Sequence, residues 1–186
     1  MSIAALDKNC APIIIDLQNG IVSRSTAQSV DGVIKQASAR AEAFQQHALP
    51  VVLVNLTGGA PGRTAPSRRR GEMPADWAKL IPQLNQPPGD HQVTKRTWAG
   101  STDTGLDARL KTLGVTRMVI VEAAADAGVE STARYASECS YSVPLAVDAM
   151  TDMRLEAHDI RIRRIFPRLG ATATAPEIIA QLGQVA

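Results

Sequence analysis

Between Pro12 and Asn55 the chain changes its hydrophobic period twice, and few folds accommodate that pattern. Pro12-Ile13-Ile14-Ile15-Asp16 is a short, continuous apolar run closed by a carboxylate, as expected of a strand covered on both faces. Val30, Val33, Ile34, Ala37, Ala41 and Phe44 then recur at three- and four-residue spacing, an amphipathic helix with Lys35, Arg40 and Glu42 on its outer side. A second buried run, Pro50-Val51-Val52-Leu53-Val54-Asn55, follows. Strand, helix and strand in that order form the βαβ unit of a parallel sheet.

The rhythm lapses and then resumes. From Thr57 to Pro88 the chain is rich in Gly, Pro and Arg and holds no apolar period, which predicts a long loop with one helical turn near Trp77-Leu80, serving as a lid or an interface segment. Beyond it His91–Lys95 reads as a strand, Leu106, Leu110 and Leu113 mark a helix, and Met118–Glu122 is another buried strand. Val129, Thr132, Ala133 and Ala136 form the inner face of the next helix. Ser142–Asp148 reads as a strand, Glu156–Arg164 as a helix, Thr172–Thr174 as a last short strand and Pro176–Leu182 as a closing helix. The expectation is one doubly wound α/β domain over residues 1–186, with the 57–88 loop inside it.

Composition narrows the class. A chain of 186 residues with 45% hydrophobic residues can bury a core of its own. A net charge of +2 from nearly balanced acids and bases points to neither nucleic acid nor an anionic membrane. The basic clusters Arg68-Arg69-Arg70 and Arg161, Arg163, Arg164, Arg168 read as solvated surface or salt bridges. Cys10 and Cys139 lie far apart with no CxxC spacing, against a disulfide framework or a zinc site. No signal-like start is present, and no apolar run approaches the roughly 18 residues of a spanning helix. A cytoplasmic location is the default expectation. Gly58-Gly59-Ala60-Pro61-Gly62 lacks the Lys-Ser/Thr that would make it a phosphate loop.

In a parallel sheet the strand ends gather along one edge, where open α/β sheets carry their ligand crevice. Asp16, Asn55, Lys95, Glu122 and Asp148 all fall at or just beyond predicted carboxyl ends. A carboxylate and an ammonium brought together there, Asp16 with Lys95, could serve as a base or an electrostatic pair. The bland alternative is that these residues simply mark where strands reach water.

The segments IIIDLQNG at 13–20, VTKRTWAGSTDTGL at 93–106, GVESTARYASECSY at 128–141, VDAMTD at 147–152 and RIFPRLG at 164–170 together resemble the isochorismatase-like superfamily, also called cysteine hydrolases. The resemblance covers nearly the whole chain in the family's order. It implies a Rossmann-like three-layer αβα fold with a mostly parallel central sheet, and hydrolysis of small amides, carbamoyl compounds or the enol ether of isochorismate. It also implies assembly as a homodimer or homotetramer. The family's triad is an Asp after the first strand, a Lys after the third and a Cys at the start of the helix after the fourth; the matching positions are Asp16, Lys95 and Gly128.

Glycine carries no attacking atom, so the resemblance implies a member of the branch lacking the nucleophilic cysteine. Cys10 and Cys139 are too far from position 128 to replace it, and both read as small core residues. Two functions remain open. In one, the protein hydrolyses a small, anionic metabolite without a covalent intermediate: Asp16 acts on a vinyl ether carbon or on water, while Lys95 and the amides near Gly128 hold an anionic group. An ammonium beside a carboxylate favours the ionised form, so Asp16 suits the part of a base better than that of an acid. In the other, the site has decayed and the scaffold binds a small molecule or serves assembly. Ala99-Gly100-Ser101 stands where related sequences tend to read Gly-Ala-Phe, and the turn Glu122-Ala123-Ala124-Ala125-Asp126 lacks the usual Gly and Thr. On either reading Asn55, Trp98, Ser101, Glu122, Ala124 and Ala125 would line the substrate site. No cofactor is implied. Nicotinamidase-like metal ligands after the second strand are missing from Asn55-Leu56-Thr57-Gly58-Gly59, and His47, His91 and His158 are scattered, reading as helix-end or surface residues, so no metal is expected.

Overall fold

The computed structural model describes residues 6, 8–23, 29–59, 73–122 and 127–182. Six strands form one sheet: β1 (Cys10–Ile15), β2 (Val52–Leu56), β3 (His91–Lys95), β4 (Arg117–Glu122), β5 (Leu145–Met150) and β6 (Thr172–Ala173). Their spatial order is β3-β2-β1-β4-β5-β6, and every adjacent pair is parallel. The chain therefore starts in the centre, winds outward to β3, returns past β1 and winds outward again. The reversal falls between β1 and β4, where Ile13 pairs with Ile120 and Ile15 with Glu122.

The period of two along each strand divides the core into two layers. Ile14, Leu53, Val119 and Val121 face one side and pack with Ala37, Ala41 and Phe44 of α2 (Val30–Gln46), the longest described helix after the short α1 (Asn19–Val22), and with Ile178 and Leu182 of α6 (Ala175–Leu182). Ile13, Ile15, Val52, Val54, Met118 and Ile120 face the other side. There they meet Leu106 and Leu110 of α3 (Leu106–Thr112), Val129, Ala133 and Ala136 of α4 (Ala127–Glu138), and Phe166. A sheet sheathed on both faces explains why its inner strands read as unbroken apolar runs. The three-layer αβα architecture expected from the sequence is the one observed.

Three local expectations are corrected. The strand expected at Ser142–Asp148 runs instead from Leu145 to Met150, because Pro144 lies outside the strand, before its start. Asp148 consequently sits inside the strand, and its Oδ1 accepts a hydrogen bond from the Ala175 amide at 2.6 Å, capping α6 rather than facing the crevice. The helix expected at Glu156–Arg164 is α5 (Leu155–Ile160), continued by a wider π turn over Arg161–Ile165 and a 3-10 turn over Phe166–Arg168. His158 lies on its inner side and is buried, not a surface histidine.

The segment from Trp77 onward is packed. Trp77, Ile81 and Leu84 belong to the α2-side core, Leu80 pairs antiparallel with Gln18, and Pro82–Leu84 makes a single 3-10 turn. Residues 60–72 of the expected loop lie outside the described residues.

Candidate active site

Asp16 is the first residue beyond β1, and its backbone leaves the strand in the left-handed region, with φ of 59°. Such a conformation costs a non-glycine residue, least for Asn and Asp. It is held by two backbone bonds, from Asp16 N to the Val54 carbonyl at 2.8 Å and from Gln18 N to the Asp16 carbonyl at 2.9 Å. Lys95 ends β3, two strands away, about 10 Å across the sheet at the usual strand spacing. By alternation it shares the face of Val93, which packs on the α3 and α4 side. The lysine has the length to cross β2.

The two side chains meet. Lys95 Nζ lies 2.9 Å from Asp16 Oδ2, with side-chain exposures of 1% and 7%, so the pair is an ion pair removed from water. The same ammonium donates to the Trp98 carbonyl at 3.0 Å. Asp16 Oδ1 is buried and has no hydrogen-bond partner among the described residues. Buried polar atoms are nearly always satisfied, so an orphaned carboxylate oxygen beside a fixed ammonium marks a place for a ligand or a water.

The other expected site residues divide. Gly128 is the second residue of α4 and is buried. Ser101 is buried in the segment after β3. The Asn55 side chain is already committed: its Nδ2 donates to the Ala78 carbonyl at 2.8 Å and its Oδ1 accepts from Thr94 Oγ1 at 2.8 Å. Asn55 therefore acts here as a brace between β2, β3 and the segment around Trp77. Trp98 supplies its carbonyl to Lys95, while its ring is half exposed at 52%. Glu122 closes β4 opposite Ile15. Ala124 and Ala125 lie outside the described residues. Among the described residues no group of three or more His, Cys, Asp or Glu side chains is placed to hold a metal ion.

Two residues that frame the site escape a reading based on strand ends. Gln18, fully buried, donates from Nε2 to the carbonyls of Leu56 at 3.0 Å and Trp77 at 3.1 Å, and accepts from the Leu56 amide at 2.6 Å. It joins the ends of β1 and β2 to the 73–84 segment. Its position two residues after Asp16 was the available signal. Thr132, fully buried in α4, accepts from the Gly100 amide at 2.9 Å and so fixes the loop that presents the Trp98 carbonyl. Its hydroxyl on an otherwise apolar inner face was the corresponding clue. Neither cysteine approaches this arrangement by sequence: Cys10 opens β1 at the opposite end from Asp16, and Cys139 follows the last residue of α4.

The doubly wound parallel sheet agrees with the comparisons to known proteins. The isochorismatase domain model matches residues 10–177. The uncharacterized isochorismatase family protein YwoC of Bacillus subtilis is 36% identical over 179 residues, covering 92% of this chain and 93% of its own. Streptothricin hydrolase of Streptomyces noursei is 31% identical over 141 residues, 75% of this chain but 48% of its own length. Among solved structures, an isochorismatase family protein from Burkholderia thailandensis superposes with a TM-score of 0.93 at 34% identity, covering 98% of this chain and 100% of that one. N-carbamoylsarcosine amidase from Thermoplasma acidophilum shares the fold, with a TM-score of 0.75 at 23% identity over 90% of this chain and 96% of its own. The chain belongs to the isochorismatase family. Among the described residues no helix is long and apolar enough to cross a membrane.

Proposed function

We propose that this protein is a hydrolase of a small, anionic metabolite, acting without a covalent cysteine intermediate. Asp16 is the acid/base group, Lys95 its electrostatic partner, and Gly128 lies at the amide-lined start of α4. The observation that carries this reading is the division of labour within one carboxylate: Oδ2 is occupied by Lys95, while Oδ1 is buried and unpartnered among the described residues. Oδ1 is the atom that can take a proton from an attacking water, or deliver one to a substrate carbon, while the ammonium holds the carboxylate in place. The positive Nζ and the amides of the first turn of a 12-residue helix favour a negatively charged substrate group. Glycine at position 128 supplies no nucleophile, so water attacks directly. Relatives whose names include a hydrolase support the reaction class.

A second reading, in which the scaffold binds a small molecule without turning it over, is favoured by the commitment of the Asn55 amide to structure and by the exposure of the Trp98 ring. The test is to incubate the purified protein with isochorismate and a panel of small amides and carbamoyl compounds, comparing wild type with Asp16→Asn. Turnover that disappears in the variant supports the hydrolase. A folded wild type that turns over none of the panel yet is thermally stabilised by one of its members supports the binding role.

A further inference from the structure

Between β3 and α3 the backbone makes bends and turns, yet this irregular stretch supplies an anchor to the site lysine. Lys95 Nζ donates to the Trp98 carbonyl at 3.0 Å while it pairs with Asp16 Oδ2 at 2.9 Å. An ammonium carries three protons on a flexible four-carbon stem. With Asp16 as its single anchor it could turn about that contact; the second anchor sets where the remaining proton points. The direction of the Lys95 ammonium therefore depends on whatever holds the segment that bears the Trp98 carbonyl.

Gly100 is the fastened point of that segment. Its carbonyl accepts from Thr104 Oγ1 at 2.7 Å, a bond within the segment, and its amide donates to Thr132 Oγ1 at 2.9 Å, a bond that crosses to α4. Gly100 is buried, and Thr132 is fully buried on a helix face otherwise made of Val129, Ala133 and Ala136. A β-carbon on residue 100 would lie 3.6 Å from Thr132 Oγ1, 3.7 Å from Val54 Cγ1 and 3.8 Å from Leu106 Cδ2. Those are ordinary contacts that leave room for a methyl group, so the hydrogen bond rather than tight packing sets how the segment meets α4. Thr132 stands four residues after Gly128, about 6 Å along the helix and on the same face.

We infer that Thr132 is a positioning residue: through the Gly100 amide and the Trp98 carbonyl, its hydroxyl ties the direction of the Lys95 ammonium to the seat of α4, whose second residue is Gly128. Thr132 acts through Lys95 and not on the reacting atoms. Serine keeps the accepting oxygen, whereas valine, of nearly the same shape, has none. In Thr132→Val the buried Gly100 amide loses its partner, the segment must shift to find another, and the Trp98 carbonyl moves with it. The consequence for turnover rests on the reading of Asp16 and Lys95 as the working pair; the consequence for the ammonium does not.

The test compares Thr132→Val and Thr132→Ser with wild type in the full chain, with circular dichroism confirming that each folds; Thr132→Ala replaces a valine variant that does not fold. The first readout needs no substrate. It is nitrogen-resolved magnetic resonance of the lysine ammonium groups, with the Lys95 signal identified by its loss in Lys95→Arg. Burial at 1% exposure should make that signal slow to exchange in wild type. Thr132→Val should shift it and speed its proton exchange about threefold or more, while Thr132→Ser should keep the rate within about twofold of wild type. The second readout is steady-state kinetics on any compound of the panel that wild type hydrolyses. Thr132→Val should lower kcat about tenfold or more with KM changed less than about threefold, and Thr132→Ser should recover most of the loss. Thr112→Val, which removes an exposed hydroxyl bond at the end of α3, should change neither readout. A wild type without a slowly exchanging Lys95 signal, a signal unmoved by Thr132→Val, a serine variant no better than valine, or a KM that rises while kcat holds would each overturn the inference. A wild type that turns over nothing refutes the hydrolase reading instead, and the ammonium signal then decides the role of Thr132.

Discussion

The indole of Trp77 lies directly against the α-carbon of Gly20: a β-carbon on residue 20 would fall 1.9 Å from Cδ1 and 2.0 Å from Nε1 of the ring. The contact is reinforced along the backbone, where Gly20 N donates to the Trp77 carbonyl at 2.9 Å and Asn19 N to the Lys79 carbonyl at 2.9 Å. Gln18 reaches the same Trp77 carbonyl, so one glycine sets how closely the 73–84 segment approaches the residues that follow Asp16.

Gly20→Ala must displace that ring. Overpacking of a buried aromatic costs about 1–3 kcal/mol, and urea unfolding should show a loss in that range. Trp98 is already half exposed, so a red shift in tryptophan emission of the folded variant would report on Trp77. Unchanged emission together with unchanged stability would refute the account of this contact.

The Asp16 and Lys95 pair makes a second prediction, about cost rather than chemistry. Lys95→Met leaves a carboxylate buried without its counter-charge and should destabilise the fold by about 3–5 kcal/mol. Asn tolerates the left-handed backbone of position 16, so Asp16→Asn combined with Lys95→Met should recover most of that loss. Stabilities from chemical unfolding of the two single variants and the double variant close the cycle; a coupling near zero would mean that the pair is not formed in solution.

Arg40 presents the converse case. Expected on the outer side of its helix, it is instead fully buried in α2, and none of its three side-chain nitrogens has a hydrogen-bond partner among the described residues. Burial pushes its pKa down to about 10, against the opposing pull of the Asp148 carboxylate. Asp148→Asn keeps an oxygen to cap the Ala175 amide but removes the charge, so it isolates the guanidinium and should cost about 3 kcal/mol. Arg40→Met in that background should restore stability. Equal stability of wild type and Asp148→Asn would show that the carboxylate matters only as a cap.

The sheet was legible because each of its central strands is a short apolar run and each helix an amphipathic one; β3 was placed to the residue. Asp16 and Lys95 stood out as candidates because a polar residue closing a strand of a parallel sheet has one edge of the sheet to occupy. What sequence could not convey was which polar groups are used up by the fold itself. Asn55 looked like a ligand and is a brace, and Asp148 looked like an edge residue and is a helix cap. Gln18 and Thr132, which tie neighbouring segments to the site, do not lie at strand ends.

His158 gives the protein a pH dependence of stability with a definite sign. His158 is buried at the inner side of α5, and desolvation lowers its pKa below the ordinary 6.5, outweighing the neighbouring carboxylates of Asp152 and Asp159, while Arg161 adds to the lowering. Between the folded value and 6.5 the unfolded chain binds more protons than the native one, so stability is complete above about pH 6.5 and falls as the pH drops through that window. Partial burial, helped by the charge of Arg109 and opposed by Asp90, lowers the pKa of His91 in the same direction, so the wild-type slope has two sources. Asp107 and Glu177, whose pKa values are lowered by hydrogen bonds, lose their stabilising contribution only in the more acidic carboxylate range. His158→Leu should therefore flatten, without abolishing, the decline in unfolding free energy between pH 7 and pH 5.5, as measured by urea titration at a series of pH values. A variant slope equal to that of wild type would show that His158 titrates alike in the folded and unfolded chain.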